Sequence, residues 1–527
     1  MSGITRKPAF WIVYALVAIA ALALASIAVF ALTQAREARQ QAHHADVVRN
    51  FLLDLFEQAS PDNANGKVLS ARDLVDAGAR RADAGLSDDE DTRIELLGVV
   101  GRLYSALGDV SQSTAIRERR LALASARYRN GDPRLAEARI DLAVSERDGD
   151  DTDRARTLIE ATLADLNVGD DVSRTLRARA IGALGVLERN ASHFDEASRL
   201  QRERIELLRQ VPSTPPADLA SAIDDLALSE TRAGRYADAV SVAREALRLL
   251  ESDPNALPSS VIEVRDTLAD ALTEDGHLDE SGAVRRTNVD LAVHEYGEQH
   301  VVTAKQMYSL AEVMRMSGQP AESIPYFQRA LAIYEAVRGP RHTAVASVLT
   351  SLAQAQTDTG SADAAIASLE RAYRIDLEVR GPQHVNTAIA ETALGRARLI
   401  SGDAVGAERD FRDSLAKYSG PIAGHIFAEA SRQGLGEALT AQRRYAEAEP
   451  LLRQAYEALL HVFGEADFRV EGAAISLAQC LAGEAKNADA QQLLEKTRVA
   501  IESVASTPST AKQLDRLKGA QDSLARH

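Results

Sequence analysis

Over residues 94–505 the chain repeats one arrangement of small, apolar and polar positions. Small residues recur at Ser113, Ala155, Ala197, Ala239, Ser281, Ser323, Ala365, Ala407, Ala448 and Ala490, spaced 42 residues apart apart from one step of 41. Twelve residues before each lies a second one: Gly101, Ala143, Gly185, Ala227, Ala269, Ala311, Ala353, Gly395, Gly436 and Ala478. An aliphatic precedes every member of this second set, Val100 in the first unit and a leucine in the others. Small side chains let helix backbones approach to about 8 Å, and the aliphatic fills the gap beside them. Turn residues such as Gly108-Asp109, Gly149-Asp150, Gly234-Arg235, Gly276-His277, Gly318-Gln319, Gly360-Ser361 and Gly402-Asp403 divide the units into two helices each. A lone helix pair cannot bury its apolar stripe, so stacked neighbours must cover it. The pattern predicts an all-α, right-handed solenoid of about ten helix pairs. Residues 506–527 are expected to close it with a capping helix, in which Leu514, Leu517 and Leu524 follow Pro508 at helical spacing.

Upstream the pattern changes. After a short tail, residues 1–8, the segment 9–33 is a continuous apolar run, without a charge from Ala9 to Leu32. As a helix it would extend roughly 36 Å, enough to cross a hydrocarbon core of about 30 Å with some tilt. Trp11 and Tyr14 are placed to sit at one interface. Ala23-Leu24-Ala25 would suit a cleavage site, but the run continues to Leu32, longer than a signal-peptide core, and an uncleaved anchor is expected. Arg6 and Lys7 on one side nearly balance Arg36, Arg39 and Arg49 on the other. The short basic tail favours a cytoplasmic N-terminus with the repeats across the membrane. Residues 34–93 join anchor to repeats. In that segment an amphipathic helix carries Val47, Phe51, Leu52 and Leu55, a loop runs from Pro61 to Lys67, and Ser70 with Asp73 forms a capping box opening a helix to about Ala84. The acidic run Asp88 to Asp91 suits the first turn of the helix that follows.

Composition narrows the chemistry. Aromatics are only 4% of residues, a helix former's balance. A net charge of −16 argues against nucleic acid, whose binding rests on neutralising phosphates. Cys480 is the single cysteine, so neither an intrachain disulfide nor a thiolate metal cluster can form. His43 and His44 are helix neighbours about 100° apart with no third ligand nearby. His300, His342 and His384 are one repeat apart, too far to share an ion with ~2 Å bonds, and are expected to position the helices they precede. Asp148, Asp150, Asp151 and Asp153 resemble a calcium loop but carry Ile159 where a bidentate Glu belongs, which makes them a solvated turn. No nucleophile, acid–base pair, cofactor site or metal site is nominated, and the chain is read as non-enzymatic.

With these positions on the page, the pattern resembles the tetratricopeptide repeat, in which small residues hold the eighth and twentieth positions of a helix-turn-helix. Ala246, Ala330, Ala372 and Ala455, seven residues beyond the twentieth, match it too. The long period and the linkers Tyr296-Gly297-Glu298-Gln299-His300, Arg338-Gly339-Pro340-Arg341-His342 and Arg380-Gly381-Pro382-Gln383-His384 resemble the kinesin-light-chain-type variant. The aromatic at the eleventh position survives only as Tyr104, so early units are expected to pack differently. The resemblance implies that the first helix of each pair lines a concave groove, with the residues three before and one or four after the eighth position facing it. That maps the groove to Asp224, Leu228, Asp266, Asp270, Tyr308, Glu312, Arg315, Gln354, Thr357 and Arg396, a mixture suited to a peptide or protein ligand.

A second resemblance covers the join. Ala45 to Phe56, then Ala59-Ser60-Pro61 and Ser70-Ala71-Arg72, is similar to the segment after the membrane helix of bacterial membrane serine/threonine kinases with repeat-bearing tails. Here eight residues precede the apolar run, and no Gly-rich loop, His-Arg-Asp or Asp-Phe-Gly triplet is found. The resemblance implies a sensor tail without its kinase, in a bacterial inner membrane, with periplasmic repeats. The expected function is a non-catalytic, membrane-anchored scaffold for protein or peptide partners. Two further readings are a regulatory subunit for a separately encoded kinase and an envelope assembly or secretion factor.

Overall fold

The computed structural model describes residues 70–84, 90–149, 151–167, 169–419, 422–504 and 508–524, with the single positions 49, 51 and 53. Residues 9–33, the expected anchor, lie outside the described residues, as do His43, His44 and the loop 61–67. Among the described residues no helix is long and apolar enough to cross a membrane.

Every element among the described residues is a helix or a turn. The chain divides into two compact units, residues 1–214 and 215–527. In the first, α1 (Ala71–Ala84) precedes three helix pairs: α2 (Glu90–Ala106) with α3 (Val110–Arg127), α4 (Pro133–Asp148) with α5 (Thr152–Asp165), and α6 (Asp171–Asn190) with α7 (Phe194–Arg209). The second holds seven pairs: α8 (Pro216–Arg232) and α9 (Tyr236–Glu251); α10 (Pro258–Glu274) and α11 (Leu278–Tyr296); α12 (Val301–Met316) and α13 (Pro320–Arg338). They continue with α14 (Thr343–Asp358) and α15 (Ala362–Val379); α16 (Val385–Ile400) and α17 (Ala404–Lys417); α18 (Ala428–Ala441) and α19 (Tyr445–Phe463); α20 (Phe468–Gly483) and α21 (Asn487–Glu502). The last helix is α22 (Pro508–Leu524). The ten pairs are those the 42-residue period predicts.

The twenty small positions are all buried. Their closeness shows in hydrogen bonds: Ser113 Oγ donates to the Gly101 carbonyl at 3.0 Å and Ser281 Oγ to the Ala269 carbonyl at 2.8 Å. A larger side chain at either place would separate the helices of the pair. The capping box forms as expected. Ser70 donates through its backbone N–H (2.8 Å) and hydroxyl (2.6 Å) to the Asp73 carboxylate, and Asp73 N–H donates back to Ser70 Oγ at 3.2 Å. Phe51 is buried with Val75, Leu97 and Tyr104 in the first core cluster. At the other end Leu517 and Leu524 are buried against the last pair, with Leu514 partly buried beside them, so α22 caps the solenoid.

The linker histidines start helices. Nδ1 of His300, His342 and His384 accepts the backbone N–H two residues on, from Val302 (3.2 Å), Ala344 (3.1 Å) and Asn386 (3.1 Å). Asp151 caps α5 by accepting from Arg154 N–H, the helix-start role of a solvated turn.

The early units differ where the aromatic is missing. Tyr104 donates to Asp76 at 2.6 Å, and burial with that carboxylate pushes its phenol up to about 12. Glu146, Glu188 and Glu230 take the same register position in the next three units, and all are buried. Each is matched by a cation: Glu146 by Arg154 (2.6 Å), Glu188 by Arg156 (2.5 Å), with the His193 ring nitrogen also 2.8 Å from it, and Glu230 by Arg235. Ion pairs therefore replace aromatic packing at the helix turn.

Candidate functional site

The register places a second position of consequence seven residues past the twentieth. Ala246, Ala330, Ala372 and Ala455 occupy it in the second unit and are fully buried. In the first unit it holds Arg120 and Arg204. Their partners across the pair are glycines: a Cβ at Gly98 would stand 2.8 Å from Arg120 Cζ, and one at Gly182 2.8 Å from Arg204 Cδ. Arg120 donates to the Ile94 carbonyl (3.1 Å), Asp141 (2.5 Å) and Glu137 (3.1 Å). Arginine thus holds this position in two pairs of the first unit, with Thr162 in the third, while the second unit has alanine in four pairs and Asn288, Ser414 and Thr497 in the rest.

In the second unit the first helices of successive pairs form the wall of a cleft of about 840 Å³, reaching from α12 to α22. Its lining includes Arg315, Gln354, Thr357 and Arg396 of the sequence-mapped groove. Gln354 and Arg396 are exposed. Arg315 reaches Glu312 (3.3 Å) and Asp358 (3.5 Å), and Thr357 donates to the Ala353 carbonyl at 2.9 Å. The other mapped residues are not in the lining. Asp224 is buried and Leu228 half-buried. Asp266 accepts from Asn288 (3.1 Å), Lys305 (2.9 Å) and Gln306 (3.1 Å), which ties three helices together. Asp270 is paired with Arg285. Tyr308 lies edge-on to Phe327 with centroids 5.9 Å apart and its hydroxyl 3.2 Å from Ser351 Oγ. Its burial raises the phenol pKa. These residues hold neighbouring repeats together.

The cleft's apolar content comes from residues outside that map. Phe427 and Phe468, which flank the starts of α18 and α20, are 48% and 56% exposed, and Ile400 at the end of α16 is 56% exposed. Arg469 lies over the Phe463 ring, 3.5 Å from its centroid, and 5.0 Å from that of Phe468. His425 accepts the Phe427 backbone N–H at 3.3 Å and its ring lies 4.9 Å from the phenyl ring at a tilt of 38°, which holds that phenylalanine at the rim. Tyr418 turns a buried hydroxyl, without a hydrogen-bond partner among the described residues, against the same wall, and burial pushes it up to about 12. Continuing the register into the last three units would have found Thr392, Gln433, Glu437 and Ile475, all in the lining. Phe427, Phe468 and Arg516 carry no such signal, because they come from helix starts and the cap.

Beneath the cleft's far end Glu471 is fully buried, with Arg516 Nε at 3.3 Å. Burial pushes its carboxyl up to about 7 against the pull of Arg516. Burial raises the Tyr236 phenol, with the charges of Glu274, Arg469 and Asp467 as lesser influences. Among the described residues no group of three or more His, Cys, Asp or Glu side chains is placed to hold a metal ion.

Profiles of the tetratricopeptide repeat match residues 260–336, 306–378 and 345–419, and a second set of such profiles matches 219–252 and 430–468. The second unit carries tetratricopeptide repeats, and all of these matches fall within it. No curated protein matches it. Among solved structures it is similar to the apo form of the quorum sensor NprR from B. thuringiensis, at 11% identity and a TM-score of 0.52, over 70% of this chain and 100% of that one. BtubC (BKLC) from P. vanneervenii is 20% identical with a TM-score of 0.39, over 42% of this chain and 90% of that one. The likeness to NprR is one of fold. A repeat solenoid of this kind is a scaffold suited to protein–protein interaction.

Proposed function

We propose that the chain is a non-catalytic, membrane-anchored scaffold whose second unit takes an extended peptide or protein segment into the cleft. The observation that carries this reading is the row of exposed Ile400, Phe427 and Phe468 beside Arg396 in one concave wall. Exposed large apolar side chains grouped in a concavity mark binding sites, whereas scattered ones do not. Arg396 is exposed with no ion-pair or hydrogen-bond partner among the described residues, which leaves it available to a ligand. The anchor rests on the charge-free run Ala9 to Leu32. An inner-membrane location with repeats in the periplasm, and a part in envelope signalling, follow from the basic tail and from the likeness of the join to kinase sensor tails.

The test is in-cell photocrosslinking of the full chain from position 468 and, as the comparison, from Val337, exposed on α13. A discrete partner captured from 468 and not from 337, and lost in Phe427→Ala, is expected. Equal capture from both positions, or capture unchanged by Phe427→Ala, would overturn the cleft as the working surface. Phe468→Ala should leave thermal stability within about 0.5 kcal/mol, since surface substitutions rarely exceed that. The membrane claim is read from the same cells: the chain should sediment with membranes and be cut by protease only after the outer membrane is opened.

A further inference from the structure

The cleft carries more positive charge than its own carboxylates use. Arg315, Arg396, Arg469 and Arg516 line it, against Asp358 and Glu437. Both carboxylates are engaged: Asp358 with Arg315 at 3.5 Å, and Glu437 as acceptor from Ser476 Oγ (2.6 Å) and Gln433 Nε2 (2.8 Å). Arg469 is held by Asp467 at 2.8 Å. Arg396 and Arg516 are exposed and make no hydrogen bond to a described residue. In a chain of net charge −16, open arginines in a concave apolar wall favour an acidic ligand.

Arg516 also has a neighbour below the cleft. Its Nε lies 3.3 Å from Glu471, which is fully buried and has no hydrogen-bond donor on either carboxyl oxygen. Gly472, the next residue, lines the cleft, and a Cβ there would meet only Arg516 Nη2 at 3.8 Å and Gln433 Nε2 at 4.0 Å. One guanidinium therefore faces a buried carboxyl with Nε and borders open cleft with Nη2. The helices packed against α20 are α18, α19, α21 and α22, and among the described residues only Arg516 acts on Glu471 as a charge. On α18 Glu429 pairs with Arg432. On α19 Glu449 pairs with Arg453 at 2.7 Å, burial raises the Tyr456 phenol, and Glu457 and His461 are exposed. On α21 Glu495 pairs with Arg498 at 2.5 Å and Lys496 reaches Glu465 at 2.9 Å, while Asp515 and Lys518 of α22 are exposed. A buried carboxylate with a single partner takes a proton when that partner is drawn away.

The geometry points to an acidic peptide segment as the ligand, one whose carboxylate takes Arg516 over from Glu471 while Glu471 accepts a proton from solvent. This rests on the reading of the cleft as a peptide site. Ligand and Glu471 compete for one guanidinium, so the two carboxyl groups are not both charged beside it. Burial already pushes the Glu471 carboxyl up to about 7. A ligand carboxylate on Arg516 pushes it further, so binding takes up a proton and affinity falls as pH rises through about 7.

The experiment is selection from a randomised, histidine-free peptide library on the full chain, followed by titration calorimetry of the selected peptides. Selected sequences should be enriched in aspartate or glutamate beside aliphatic or aromatic residues, and should lose binding in Phe427→Ala. Replacing a peptide's acidic residues by their amides, or Arg516→Gln in the chain, should weaken binding about tenfold, the effect of one charge-assisted contact. Titrations in buffers of different ionisation enthalpy should show net proton uptake, with Kd weakening about tenfold between roughly pH 6 and 8. The peptide carboxylates titrate near about 4 and add nothing in that window. Glu471→Gln should keep the acid-side affinity with the uptake gone and the pH profile flat; the buffer series on the unaltered chain decides the matter even if that variant fails to fold. Peptides that bind the cleft without proton uptake, or whose amides bind equally well, would overturn the shared arginine and leave the cleft as a peptide site. Selected peptides indifferent to Phe427→Ala would overturn the cleft itself, and this inference with it.

Discussion

The two units solve one packing problem with different chemistry. Between the helices of a pair, the first unit sets Arg120 against Gly98 and Arg204 against Gly182, while the second buries Ala246, Ala330, Ala372 and Ala455 at the same position. The first unit's inner surface is consequently a lattice of guanidiniums and carboxylates. The second unit's stays open enough for an 840 Å³ cleft with aromatic side chains on its rim. The repeat profiles match only where alanine holds that position in most units. A constant period thus fixes the backbone arrangement, while the side chain at one recurring position differs between the units.

The comparison can be broken most directly in the second unit. Phe411 is fully buried, and its ring occupies the space where a Cβ on Gly434 or Gly395 would be. Phe411→Ala should cost about 3–5 kcal/mol by cavity formation, read as faster hydrogen exchange across α16 to α18 with the first unit unchanged. Its counterpart in the first unit is Arg120→Ala, which strips Asp141 and Glu137 of a buried partner and should cost roughly 3 kcal/mol. Arg120→Met should recover part of that loss, and an Arg120→Ala variant as stable as the wild type would show that the charges do not hold the wall.

Glu471 is the second unit's exception, a carboxylate under the cap without hydrogen-bond donors. Its carboxyl is raised from 4.5 to about 7, so the folded state favours the protonated form. Its contribution to stability is then fully present below the ordinary carboxylate value and is lost as pH rises through about 7. Exchange protection of α22 should fall between pH 5 and 8 by roughly 1–3 kcal/mol, and Glu471→Gln should flatten that dependence. A dependence that survives the substitution would place the titrating group elsewhere.

The smallest expected effect treats both units alike. Where most repeats turn through a glycine, Ser192, Arg443 and Ala485 hold φ of 64°, 61° and 62°. Glycine at any of the three should add about 1 kcal/mol by removing left-handed strain. Equal gains at Ser192 in the first unit and Ala485 in the second, by thermal denaturation, would confine the difference between units to side-chain packing. Unequal gains would mean that the turns differ too.

The period made the helix pairs legible, because each unit must present the same small surface to its neighbours and the sequence repeats whatever packing repeats. The histidine helix starts were legible for the same reason. The cleft was legible in part: Arg315, Gln354, Thr357 and Arg396 followed from the register, whereas Asp266 and Tyr308 followed it into contacts between repeats. The register says which way a side chain leaves its helix, not whether a neighbouring helix will cover it. Ser192, Arg443 and Ala485 make the same point for turns, since their left-handed backbone is imposed by the helices on either side and leaves no glycine to read. Arg120 and Arg204 could have been recognised beside Gly98 and Gly182 by pairing positions across the unit instead of along it.

Repeat arrays grow and shrink by whole units during evolution, since each repeat needs only the next. In the second unit the cleft limits that freedom, because its lining runs from Arg315 through Phe427 and Phe468 to Arg516 and so draws on several successive repeats. Duplicating or deleting a 42-residue unit within that stretch would change the spacing of those side chains at once, so the number of repeats there sets the length of the cleft.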